Sequence, residues 1–234
     1  MSPDEAPRSS EESDPFWDRP EIVDRFAARD PDLRLQRLVE EVDDAASFRV
    51  LDLGCAGGRN TAWLVDAGVD AQALDRSKEM VARTRERVAK RVGRAAAAAR
   101  VHAGVMWDLR PFPDDVFDLV VALGVMQSAP SVARWRQTLR EIRRVLRPGG
   151  RVLVSNFSPE SRPEGRPLPE APGAGHVRLW RQGRPMVLLE AGEHDAAFAD
   201  EGFRPVVPTE SVHVDLEDGY RVTVNALYRL APDA

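Results

Sequence analysis

The stretch RVLDLGCAGGRNTAWL, from Arg49 to Leu64, constrains the fold more than any other part of this chain. Val50, Leu51 and Leu53 form a short apolar run around one acid, Asp52, and the run breaks into the small residues Gly54, Cys55, Ala56, Gly57 and Gly58. Helix-compatible residues follow from Thr61 onward. That order predicts a buried strand, a tight turn and a helix. Glycine lets the backbone turn sharply and lie against a ligand without a Cβ in the way. A helix that starts there offers free N–H groups and a partial positive charge to an anionic group. Farther on, a strand-like run from Asp70 to Leu74 ends in Asp75, an acid at the roughly 20-residue spacing that suits two ribose hydroxyls. Together these features imply a nucleoside site.

The loop argues about which nucleoside. A dinucleotide-binding turn reads G-x-G-x-x-G, and its final glycine allows close helix–strand packing. Here the spacing is Gly54-x-Ala56-x-Gly58, with Asn60 two residues later, and the final glycine of that pattern is missing. Asp52 would repel a pyrophosphate but attract an ammonium group. An adenosine with a cationic amino-acid tail fits better than NAD.

With those residues in view, DLGCAGGRN (52–60) resembles the first motif of class I S-adenosylmethionine (SAM)-dependent methyltransferases. Four later segments match in order: ALDRS (73–77), WDLRPFPDDVFDLVVALGV (107–125), LREIRRVLRPGGRVLV (139–154) and a C-terminal pair of strands. The resemblance runs from about Trp17 to Leu230. GRN and the DLR segment are similar to the small-molecule branch that includes tellurite-resistance-type methyltransferases, from which an insertion at 158–175 departs. The resemblance implies SAM as cofactor, S-adenosylhomocysteine (SAH) as product and a small-molecule acceptor. It implies cofactor contacts from Asp52, Gly54, Ala56, Gly58 and Asn60, with Asp75 at the ribose and Arg76 beside it. It makes Asp108 the acceptor for adenine N6, flanked by Trp107 and Leu109; a register two positions earlier nominates the Met106 and Trp107 backbone instead. Leu123, with Gly124 and Val125, falls under the methionine part. Asp75 also suits the cap of a helix starting near Ser77.

The rest of the chain agrees. At 234 residues a single α/β domain is expected. The net charge of −5 gives no global basic field for nucleic acid. One cysteine, Cys55, excludes an internal disulfide framework and cysteine-rich metal clusters, and fits a reducing cytoplasm. No apolar run approaches the roughly 20 residues that span a bilayer, and no signal-peptide core is present. Residues 1–14 are expected to form a disordered tail and 15–234 one methyltransferase domain, with N-terminal cap helices over 16–45 and an insert, a possible lid, over 158–190. Strands are expected at 49–53, 70–74, 100–105, 116–123 and 151–156. Helices are expected at 60–67, 77–92 and 131–146, the last stopped by Pro148-Gly149-Gly150. Two strand pairs follow: 177–182 with 185–190, turning at Gln182-Gly183-Arg184, and 203–215 with 220–230, on either side of a helix at 193–201. This order predicts a doubly wound, Rossmann-like, seven-stranded sheet, mostly parallel, with an antiparallel C-terminal hairpin. The alanines 95–99 read as compositional bias.

Acceptor chemistry is less marked. In the N-terminal segment Phe26, Arg29 and Asp32 are placed to close over the cofactor, although Arg29 also fits a solvated helix end. His176, in the insert, is the weak candidate for a general base; His102, in or beside the third strand, reads as structural, His194 falls at a helix start and His213 on an outer strand. Trp180 and Arg178 are candidates for the acceptor pocket. The arginines of helix 131–146 lie opposite an apolar face of Leu139, Ile142, Val145 and Leu146, so a solvated outer face explains them without nucleic acid. No metal site is expected, and no residue pattern indicates an oligomeric state. A SAM-binding protein without catalysis is the alternative reading, and an NAD-dependent oxidoreductase the lesser one.

Overall fold

In the computed structural model, which describes residues 15–171, 175–180 and 183–232, the apolar run becomes a central strand. Two short helices come first, α1 (Pro20–Ala27) and α2 (Leu33–Glu40), followed by β1 (Arg49–Leu53). Pro20 opens α1, and Asp32 caps α2 by accepting from the Arg34 N–H. Helix α3 (Arg59–Asp66) starts from Gly58, strand β2 (Asp70–Asp75) follows, and Ser77 caps α4 (Lys78–Val92) by accepting from the Met80 N–H. The alanine run is a helix, α5 (Arg94–Arg100), which buries Ala97. Alanine has the highest helix propensity, so what read as compositional bias is structure. Next come β3 (Val101–Ala103), β4 (Phe117–Leu123) and α6 (Val132–Val145).

Helix α6 ends earlier than expected because Leu146 is fully buried and pairs with Phe117, which pulls the chain into strand conformation. Strand β5 therefore runs from Leu146 to Phe157, and Pro148-Gly149-Gly150 lies within it, where the pairing with β4 shifts register. The insert holds a two-residue strand, β6 (Arg162–Pro163), and the hairpin β7 (Val177–Trp180) with β8 (Arg184–Val187). Helix α7 (Ala191–Asp200) begins with a capping box between Glu190 and Glu193. The strand expected at 203–215 is two pieces, β9 (Phe203–Pro205) and β10 (Glu210–Leu216), separated around Pro208, which has no N–H to give a ladder. Both pair with the long final strand β11 (Gly219–Leu230). The expected tail at 1–14 and Gln182 of the expected turn lie outside the described residues.

The main path through the sheet is β10-β11-β5-β4-β1-β2-β3, with β6 and β9 added along β11. Strands β3, β2, β1, β4 and β5 are parallel; β11 is antiparallel to β5 and to β10. Chain order reverses between β1 and β4, and the carboxyl end of such a switch point opens a crevice. On one face α2 and α3 bury Leu35, Leu38 and Leu64 against Val50, Leu119 and Val121. On the other, α6 and α7 bury Trp135, Leu139, Ile142 and Phe198 against the alternate residues Leu51, Leu53, Val120 and Ala122. The period-2 alternation of β1 and β4 thus covers both faces. Asp118, the one acid in β4, is buried but satisfied: it accepts from the Arg49 N–H at 2.6 Å and pairs with Arg147.

Candidate active site

A cavity of about 690 Å³ opens at this switch point, within the range of roughly 300–1,000 Å³ usual for ligand sites. Its floor is the turn after β1. The Gly54 N–H donates to the Leu74 carbonyl at 2.8 Å, and Gly54 sits at φ +74°, a left-handed conformation that favours glycine. Ala56 takes φ +48° without being glycine. Asp75 holds it there by accepting the Ala56 N–H at 2.9 Å, while the Thr84 hydroxyl donates to the Ala56 carbonyl at 2.7 Å. The second Asp75 oxygen accepts the Ser77 N–H at 2.9 Å. Asp75 therefore ties the two strand ends together, and burial raises its pKa against the lowering effect of these bonds.

Asp52 lies beneath the loop, 2 % exposed, and accepts the Thr61 hydroxyl at 2.6 Å. Burial pushes its carboxyl up to about 6, opposed by Thr61 and Arg59 and reinforced by Asp75. Asn60, buried at the start of α3, accepts the Asp32 N–H at 3.0 Å. The Arg59 guanidinium donates to the Asp30 carbonyl, so the N-terminal helices are fastened to the turn after β1. Gly57 makes that docking possible: a Cβ there would stand 2.7 Å from the Ala27 backbone. A Cβ on Gly58 would stand 2.8 Å from the Thr84 hydroxyl, which ties Gly58 to packing of α3 on α4.

The cavity roof comes from two distant segments. Phe16, Trp17 and Phe26 pack edge to face, with centroids 5.1 and 5.7 Å apart, and the Arg184 guanidinium of β8 lies 4.0 Å from the Phe16 centroid and 4.8 Å from that of Trp17. The insert therefore meets the N-terminal segment over the site. Behind them Phe157 and Trp180 pack at 4.7 Å.

Of the sequence candidates, Asp52, Gly54, Ala56, Asn60, Asp75, Arg76, Trp107 and Leu123 line this one cavity, as do Gly124, Val125, Phe26, Arg29, Asp32 and Trp180. Gly58 does not; it serves as the N-cap of α3. Asp108 lies in a neighbouring depression with its carboxylate bound to Arg110 at 2.5 Å, and the Arg110 pair, chiefly through its hydrogen bond, lowers its pKa. Leu109 is fully buried, its N–H given to Glu141 at 2.7 Å. Met106 and Trp107 line the cavity wall. His176 stands outside the cavity, 3.6 Å from Glu193, and Arg178 pairs with Glu170. His194 is buried beside Tyr228 and Asn156, and burial lowers its pKa to about 4. Arg184, Phe157, Arg221 and Thr223 line the cavity without having been singled out. The alternation Arg221-x-Thr223-x-Asn225 in β11 was the available signal. Among the described residues no group of three or more His, Cys, Asp or Glu is placed to hold a metal, and no helix is long and apolar enough to cross a membrane.

Known proteins agree with this geometry. A family model described as a methyltransferase domain matches residues 51–154. Over 150 residues the chain is 32% identical to the methyltransferase GfsG of Streptomyces halstedii, covering 61% of this chain and 49% of that protein. Over 111 residues it is 39% identical to the demethylmenaquinone methyltransferase of Beutenbergia cavernae, covering 47% and 41%. The chain thus spans about half the length of the curated relatives it matches. A SAM-dependent methyltransferase structure from Methanosarcina mazei superposes with TM-score 0.65 at 16% identity, over 87% of this chain and 99% of that one. The 1,6-didemethyltoxoflavin-N1-methyltransferase of Burkholderia thailandensis, solved with bound 1,6-didemethyltoxoflavin and SAH, superposes with TM-score 0.57 at 22% identity, over 89% and 78%. Residues 51–154 match a methyltransferase domain, and the sheet built around them has the fold of SAM-dependent methyltransferase structures.

Proposed function

We propose that this protein transfers a methyl group from SAM to a small-molecule acceptor, with SAH as the product. One observation carries the reading: two carboxylates, the buried Asp52 and the partly buried Asp75, converge at a glycine-turned strand end on the floor of a cavity large enough for cofactor and acceptor together. The donor set fits SAM. Asp75 would hold the ribose hydroxyls with lone pairs not used by Ala56 and Ser77, and Met106 and Trp107 would flank the adenine. Asp52 would face the ammonium of the methionine tail, and Leu123 to Val125 would lie beneath that tail. Bound there, the sulfonium supplies an activated methyl group, so in-line displacement needs alignment more than further activation. The chain's own part is positioning, which can contribute about 7–11 kcal/mol, and exclusion of water by the Phe16–Trp17–Arg184 roof. No histidine lines the cavity among the described residues. An acceptor already anionic, or a soft nucleophile, suits such a site.

The test is release of SAH from SAM across a panel of phenols, amines, thiols and organic acids, run beside Asp75→Ala. Loss of charge-assisted bonds should weaken SAM binding by about 1.5–3 kcal/mol in a variant whose circular dichroism is unchanged. Unchanged affinity in the folded variant would remove Asp75 from the ribose. Tight SAM binding without turnover on any acceptor would favour the non-catalytic alternative.

A further inference from the structure

Three cavity-lining residues each hold a buried polar atom with no hydrogen-bond partner: Arg34 Nη1, Arg221 Nε and Thr223 Oγ1. Buried donors are normally paired, and leaving one unpaired is costly, so such atoms call for an explanation. The three fall into two places. Arg34 lies beside Asp32 at the start of α2, next to the cofactor loop. Arg221 and Thr223 lie two residues apart on β11 and so share a face of the sheet.

The β11 pair belongs to the acceptor end. Strand β11 is three places from β1 in the sheet, roughly 14 Å at about 4.8 Å per strand. Thr223 pairs across the ladder with Phe157, and the Arg221 guanidinium lies 4.9 Å from the Phe157 ring, which sets its plane along the wall. Thr223 is 8% exposed, so its hydroxyl has little access to bulk water.

Charge points the same way. Burial lowers the Arg221 pKa, and Arg29 is lowered by burial first, then by Arg59, Arg25 and Arg221. The cations therefore repel one another across the cavity. Among the described residues neither Arg29 nor Arg221 has a carboxylate partner. The three carboxylates of the cavity, Asp32, Asp52 and Asp75, are all hydrogen-bonded at the cofactor end. A bound cofactor brings one carboxylate of its own, and Arg29 and Arg34 stand nearer the loop to take it. That leaves Arg221 and Thr223.

Resting on the methyltransferase reading above, we propose that Arg221 and Thr223 form an anion-binding subsite for the acceptor. The acceptor is then a small organic acid, ionised at neutral pH, with its apolar body against Phe157 and Trp180. Arg221 offers its Nε–H to an anionic oxygen, and the Thr223 hydroxyl donates a second bond. A guanidinium with a neighbouring hydroxyl suits a carboxylate, which accepts two bonds in one plane.

The experiment is calorimetric titration of the SAH-saturated protein at pH 7.5 with benzoate, 4-hydroxybenzoate and 1-naphthoate, each beside its carboxamide. At least one carboxylate should bind tenfold or more tightly than its amide. Arg221→Gln and Thr223→Val should each erase that preference, with SAH affinity within twofold of the parent and the unfolding midpoint not lowered. The subsite is refuted if no carboxylate exceeds its amide, or if the preference survives Arg221→Gln. It is also refuted if Arg221→Gln weakens SAH binding tenfold, because Arg221 would then serve the methionine carboxylate. Failure of SAH itself to bind is a separate result, and it overturns the methyltransferase reading.

Discussion

Asp52→Asn should make the ligand-free protein more stable and its cofactor binding weaker. Asp52 is 2 % exposed, and burial lifts its carboxyl from the ordinary aspartate range to about 6. The folded state therefore takes up a proton between about pH 4 and 6 that the unfolded chain does not hold. Stability from this group falls as pH rises through that window, and above it the ionised carboxylate leaves a penalty of about 3 kcal/mol, at 1.36 kcal/mol per pKa unit. Asparagine keeps an oxygen for the Thr61 hydroxyl, now 2.6 Å away, and carries no charge to desolvate. At pH 7.5 the variant should gain up to about 3 kcal/mol, a rise in Tm of roughly 6–12 °C. Near pH 4.5, where wild-type Asp52 is itself protonated, the gain should vanish. SAH affinity should move the other way, falling by about 1.5–3 kcal/mol with the lost partner for the ammonium. Wild-type affinity should also weaken below pH 6, while the variant's stays flat across that range. Thermal unfolding of the free protein and calorimetry from pH 5 to 8 read both effects. A variant less stable at pH 7.5, or one that binds SAH as the parent does, would refute the reasoning.

Two further substitutions address the frame around the site. Gly57→Ala places a methyl group 2.7 Å from the Ala27 Cα and Cβ, so α1 must lift off the loop; SAH affinity should fall at least tenfold, with faster hydrogen exchange in residues 20–27, and unchanged affinity would mean that α1 does not help to close the cavity. Tyr228→Phe removes a hydroxyl that donates to Asp195 at 2.6 Å and stands 3.1 Å from His194 Nδ1; urea unfolding should show a loss of about 1–3 kcal/mol with SAH affinity intact, and a neutral result would mean that this buried network does not stabilise the fold.

Much of the frame was legible because its signals are local. The apolar run of β1, the small residues after it and the Ser77 cap each dictate structure from their immediate neighbours, and all three elements lie where the spacing puts them. Boundaries moved where tertiary pairing overrode local signals. Leu146 extends β5 backward into Pro148-Gly149-Gly150 because Phe117 is waiting to pair with it. Pro208 breaks the expected strand into β9 and β10, and the partner that keeps both pieces in line is β11. The floor of the cavity was visible for the same local reason, since Asp52, Gly54 and Ala56 fall within five residues and Asp75 is the next strand's last residue. Its roof and far wall were not. Arg184 meets Phe16 across most of the chain length, and Arg221 reaches the cavity only because β11 inserts antiparallel beside β5. Asp108 lies in the neighbouring depression, its carboxylate held by Arg110 two residues on, a pairing that the strand pattern does not signal.

The most direct measurement is calorimetric titration of the purified protein with SAM, SAH and NAD. Both sulfur ligands should bind at micromolar concentration, more weakly to Asp75→Ala, and NAD should give no heat. Binding of NAD in preference to either, or no binding of SAH by a folded protein, would contradict the methyltransferase reading.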